Sequence, residues 1–142
     1  MKADLDALRG FFASAPFMVD LGVQVVAVSE GRLSTQLVIE QKHLQHTGQV
    51  HAGVMASLAD HSMGAAAQTM APEDHWMLTA ELKTSQLRAA RGDRLLCEAV
   101  VLKAGRRLSF TEAEVFSQGP QGQRTLVMKA SATMAVAVKQ GL

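Results

Sequence analysis

Asp60 is the residue in this chain best placed to do chemistry, and its surroundings make it unusual. It stands in a run from Gly53 to Met70 that Val54, Met55, Leu58, Ala59, Met63, Ala65, Ala66 and Ala67 make apolar around most of a helical circumference. Such a helix belongs inside a domain. Ser57, Asp60, His61, Gly64 and Gln68 nevertheless recur at spacings of three and four and so share one face. Desolvating an unpaired carboxylate is costly. Asp60 therefore has either a basic partner in a structural ion pair or a task as general base or nucleophile, and the helix pattern alone weighs the two equally.

The histidines invite a metal reading, which their spacing does not support. His43, His46, His51 and His61 form no pattern that puts three imidazoles on one face, and no acidic or cysteine set joins them. No metal and no cofactor are expected. His51 is expected to hydrogen-bond near the helix start and fix the preceding loop. His61 follows Asp60 directly, and adjacent helix positions diverge by about 100°, so the two are not expected to act as a dyad.

The rest of the chain must position that helix. At 142 residues with 48% hydrophobic and 19% charged residues, it reads as one globular domain spanning 1–142. A net charge of +1 gives no general electrostatic reason to bind nucleic acid or a membrane. Cys97 stands alone, which excludes an internal disulfide. The acidic start Met-Lys-Ala-Asp-Leu-Asp does not resemble a signal peptide, and Asp60 and His61 interrupt the longest apolar stretch. A cytoplasmic location is expected.

Leu5, Leu8, Phe11 and Phe12 predict a short amphipathic helix over 3–14, within an N-terminal helical segment 1–18 that Pro16 punctuates. Residues 21–29 and 32–40 read as a hairpin about Glu30-Gly31, and 41–50 as a loop. The buried helix, to about Met70, ends at Ala71-Pro72. Strands follow near 76–88, 93–104, 107–117 and 124–138. In the last, Leu126, Met128, Ala130, Ala132, Met134, Val136 and Val138 are expected on one face. With no second long helix available for βαβ units, the economical fold is α+β: a single antiparallel sheet wrapped around one long central helix.

Gln45, Gly48, His51-Ala52-Gly53 and Asp60, in this order and spacing, resemble the hotdog-fold acyl-CoA thioesterases of the phenylacetate-degradation type. The stretches Leu78–Lys83, Leu87–Asp93, Ala104–Arg107 and Glu112–Val115 resemble the same family, so the likeness runs from about residue 20 to 138. It implies the hotdog fold, an acyl-CoA or aroyl-CoA substrate, hydrolysis to free acid and CoA, and no cofactor. It also implies a homodimer, often doubled to a homotetramer, with sites at the dimer interface. Ala52 replaces a family glycine, Gln45 stands where asparagine is common, and Ala89 replaces a common proline.

Thioester hydrolysis needs an attacking group and a cradle for the developing oxyanion. The first residues of a helix offer free N–H groups and the positive end of its dipole, so Ala52 and Gly53 are the expected oxyanion donors. Gln45 would add a side-chain amide, and Asp60 would serve as base or nucleophile. Gly48, Ser57, His61, Gly64 and Thr79 are expected to line the substrate site. Arg88 and Arg91 are candidates for the CoA phosphates, although solvated hairpin turns explain any single arginine as well. With these residues in register, the catalytic reading of Asp60 outweighs the ion pair. The same fold also hosts hydratases and dehydratases, and acyl-CoA-binding modules without catalysis.

Overall fold

The computed structural model describes residues 1–141. Two N-terminal helices, α1 (Leu5–Ala13) and α2 (Pro16–Leu21), lead into the hairpin of β1 (Gln24–Ser29) and β2 (Arg32–Val38). A 3-10 turn (Gln41–His43) precedes the central helix α3 (Ala52–Gln68). Four strands follow: β3 (His75–Gln86), β4 (Arg94–Ala104), β5 (Leu108–Gln118) and β6 (Arg124–Val138). They form one six-stranded antiparallel sheet in the order β1-β2-β4-β5-β6-β3. This is the hotdog arrangement. No described helix is long and apolar enough to cross a membrane.

The concave face of the sheet closes on α3, whose Leu58, Ala59, Met63, Ala65, Ala66 and Ala67 are fully buried. Across from them lie Leu33, Leu37, Leu95, Val115, Met128 and Met134. Each large apolar side chain so buried contributes about 1.5–3 kcal/mol, and the alanines let the sheet approach the helix axis. Cys97 is also completely buried, beside the hydrogen-bonded pair Thr35–Ser62 at 2.8 Å. Burial pushes its thiol up to about 12, against the hydrogen bonds of Ser62 and Thr35.

Three departures from the sequence-based expectation have local causes. Pro16 does not merely follow the first helix; it opens α2, where a missing N–H costs nothing. Gly22, at φ 86°, then caps α2, so the helical segment reaches Leu21 and β1 begins only at Gln24. In β6, Met128, Ala130, Ala132 and Met134 are buried as expected, but Val138 is exposed, and a register shift turns Val127 into the core.

A second register shift bears directly on the site. Thr79 pairs with Met134 and Leu82 with Ala132, both on the buried face of β6, although an odd spacing separates Thr79 from Leu82. Regular alternation would place the two on opposite faces. The extra residue, Ala80, forms a bulge that keeps both inward and sends Glu81 outward opposite Thr133. β3 lies at the edge of the sheet, with its other side unpaired in this chain.

Candidate active site

The start of α3 is built by the loop before it. Leu44 and Val50 form an isolated bridge, the His51 N–H donates to the His43 carbonyl, and Gly48, at φ 82°, closes a turn onto the Gln45 carbonyl. His43 is fully buried, with Nδ1 accepting from Glu40 N–H at 2.9 Å and Nε2 meeting the Leu21 carbonyl at 2.8 Å. Both of its nitrogens are thus engaged in holding this loop.

His51 is the N-cap of α3. Its Nδ1 accepts from the Gly53 N–H at 2.8 Å, which places the imidazole proton on Nε2. A β-carbon on residue 53 would lie 3.0 Å from that Nδ1, so glycine is what lets the ring close over the helix end. Of the two expected oxyanion donors, the Gly53 amide is thus taken up by the cap. The Ala52 amide has no acceptor among the described residues. It lines a cleft of about 330 Å³ with Gln45, Gln49, Met55, Gln86 and Arg88. Gln45 Nε2 donates to Thr47 at 3.0 Å, and Arg88 donates to the Leu126 carbonyl at 3.0 Å. Arg91 lines an adjoining cleft with Thr47 and Gly48.

Two turns further along α3, Asp60 is half-buried and accepts from the Thr79 hydroxyl at 2.7 Å. Among the described residues it forms no ion pair. Ser57 donates to the Gly53 carbonyl of its own helix. Gly64 is half-buried, with room for a β-carbon 3.9 Å from Met134.

His61 points elsewhere, into an aromatic nest under α1. Phe11 stacks on its ring at 5.5 Å and Phe12 meets it edge-on at 4.6 Å. Its Nε2 is buried without a partner among the described residues, and burial lowers its pKa against the opposing charge of Asp60. His43, His51 and His61 thus have separate tasks, and among the described residues no three His, Cys, Asp or Glu side chains converge.

Most of the expected site residues therefore gather at two places along α3. Gln45, Gly48, His51, Ala52, Gly53, Arg88 and Arg91 gather at its start, and Asp60 and Thr79 at its middle. Gln49 and Gln86 join the first group with nothing in their local sequence to announce them, and Met55 joins it with the flexible apolar side chain suited to lining a substrate site.

One long helix wrapped in a single six-stranded antiparallel sheet is the architecture of the hotdog class of proteins. Residues 47–123 match the family model described as the thioesterase superfamily, and the chain belongs to that family. It is 36% identical over 93 residues to a Caenorhabditis elegans protein carrying an esterase designation, aligning 65% of this chain with 54% of that one. The chain thus spans about half the length of that relative. It is 23% identical to the 1,4-dihydroxy-2-naphthoyl-CoA hydrolase of Listeria monocytogenes, over 67% of this chain and 77% of that one. Among solved structures, a thioesterase family protein from Silicibacter pomeroyi superposes with TM-score 0.89 at 28% identity, covering 92% of this chain and 96% of that one. The phenylacetic acid degradation protein PaaI of Thermus thermophilus does so with TM-score 0.75 at 25% identity, covering 85% and 98%.

Proposed function

We propose that this chain hydrolyses acyl-CoA or aroyl-CoA thioesters to the free acid and CoA, as a phenylacetate-degradation-type thioesterase of the cytoplasm. The observation that carries the reading is the free Ala52 amide and the uncompensated Asp60 carboxylate on one unbroken helix. Two of the relatives add support: one is a CoA-ester hydrolase and the other a phenylacetic acid degradation protein.

The working unit is a homodimer, alone or doubled to a homotetramer. Eight residues of helix separate Ala52 from Asp60 by about 12 Å, whereas donor and base must each come within about 3 Å of one carbonyl group. Two antiparallel copies of α3 meet both demands. The free edge of β3 supplies the contact, exposing Leu78 at 40% and Leu82 at 37% where an unpaired edge invites aggregation. Pairing two copies about Leu82, with the extra residue Ala80 left out of the new ladder as it is on the other side, keeps inward residues opposite inward residues. It also brings Gln86, beside one subunit's Ala52 cleft, next to the other subunit's Thr79.

In that site the Ala52 N–H and the helix dipole hold the thioester oxygen, with the Gln45 amide beside it. The partner's Asp60, one oxygen fixed by Thr79, takes a proton from water as the water oxygen attacks the carbonyl carbon. Collapse of the tetrahedral adduct breaks the C–S bond, and the proton passes to the departing thiolate. Arg88 and Arg91 lie beside the cleft where the CoA phosphates would approach. The test is thiol release across a panel of acyl- and aroyl-CoA esters, abolished in Asp60→Asn. A change in enoyl absorbance without thiol release would instead assign a hydratase, and binding without turnover a carrier module.

A further inference from the structure

Gln68 closes α3 and is 2% exposed, an unusual place for a side-chain amide. Its Nε2 donates to the His75 carbonyl at 2.9 Å, and its Oε1 accepts from the Met77 N–H at 3.0 Å. The amide thus pairs with β3 as the peptide of a neighbouring strand would. Both bonds lie just upstream of Thr79, and the Ala80 bulge lies just downstream. Between these two devices the strand has no freedom to slip, and a slip of one residue would turn Thr79 away from the helix. Thr69 does no such work for β3, since its hydroxyl serves the Ala66 carbonyl and the Gly31 N–H.

We infer that Gln68 is a positioning residue: by pinning His75 and Met77 to the end of α3, it sets the register that delivers the Thr79 hydroxyl to Asp60. Asp60 and Gln68 stand on the same helix, two turns apart, so strand and helix are clamped at two points, one structural and one in the site. The inference rests on the catalytic reading of Asp60 for its consequence in turnover, but its geometry stands without it.

The experiment has two arms, so that failure of the functional reading does not hide the result. In the first, the Thr79 methyl signal is followed by NMR in protein labelled at threonine methyls. Asp60→Asn shifts that signal in the wild-type background and leaves it unmoved in Gln68→Met, because the contact is already lost. In the second, Gln68→Met lowers kcat roughly tenfold or more with little change in KM, and adds nothing in a Thr79→Val background. Gln68→Asn keeps the amide but shortens its reach to His75 and Met77, weakening both bonds, so it gives an intermediate effect in both arms if Gln68→Met fails to fold. A Thr79 methyl that responds to Asp60→Asn as fully in the Gln68 variants as in the wild type overturns the inference. So does a loss of turnover of equal size in both Thr79 backgrounds, which marks a merely structural role.

Discussion

The Thr79 hydroxyl donates to Asp60 Oδ1 at 2.7 Å, joining the edge strand β3 to the middle of α3. A hydroxyl that fixes one carboxylate oxygen leaves the other free to meet water. Hydrogen bonds to charged groups are worth about 1.5–3 kcal/mol. Thr79→Val is therefore expected to lower kcat by roughly tenfold to a hundredfold, with Thr79→Ser close to wild type. Steady-state kinetics on the best thioester of the panel checks this.

Asp60 as base and Asp60 as nucleophile leave different isotope records. With the carboxylate acting on water, single-turnover hydrolysis in ¹⁸O-water puts label in the released acid and none in the protein. Label in the Asp60 side chain, read by mass spectrometry of its peptide, would establish a covalent anhydride route instead.

His61 makes stability depend on pH. Burial lowers its pKa in the folded chain, so between that lowered value and the usual 6.5 the unfolded chain binds more protons. Its contribution is complete above about pH 6.5 and is lost as pH falls through that window. His61→Phe retains the contacts with Phe11 and Phe12 and removes the titration. Thermal unfolding at about pH 7.5 and about pH 5 should show a smaller drop in Tm for the variant than for the wild type.

Cys97 should be inert in the native protein. A fully buried thiol held at about 12 offers almost no thiolate at neutral pH. A thiol reagent should label it only after unfolding, and Cys97→Ser should leave turnover unchanged.

What was legible in the sequence followed from periodicity. The central helix, expected from Gly53 to Met70, runs Ala52–Gln68, and every strand after it lies within two residues of its expected ends. The site motif was legible as a set of residue types, Gln45, Ala52, Asp60 and Thr79 among them. Three features were not. The Ala80 bulge is invisible because Thr79, Ala80 and Glu81 carry no glycine or other mark of an inserted residue. The loss of the Gly53 amide depends on which nitrogen of His51 faces the helix, which residue type does not specify. Gln68 was legible as polar on the helix stripe, but its partners are backbone groups of β3, and no side-chain pattern records those.

Pairing through β3 has a direct chemical test. Opposed residues on antiparallel strands hold their Cα atoms about 4.5–5.5 Å apart, within the roughly 4.4–6.8 Å that a disulfide spans. Leu82→Cys is expected to form a disulfide-linked dimer under mild oxidation, while a cysteine at Leu102, exposed on β4, is not.

The central claim is that each site takes its oxyanion donor from one subunit and its carboxylate from the other. Ala52→Pro removes the donor with little strain, since Ala52 is the first helical residue and His51, at φ −62° and ψ 135°, already suits a following proline. That variant should lose about 10²–10³ in kcat, and Asp60→Asn about 10²–10⁴, each with its fold intact. When the two inactive proteins are unfolded together and refolded as a mixture, every heterodimer carries one complete site and one doubly defective site. The account predicts that thiol release returns in proportion to the heterodimer formed, at half the wild-type turnover per dimer. Heterodimers that form without any recovery of activity would contradict it.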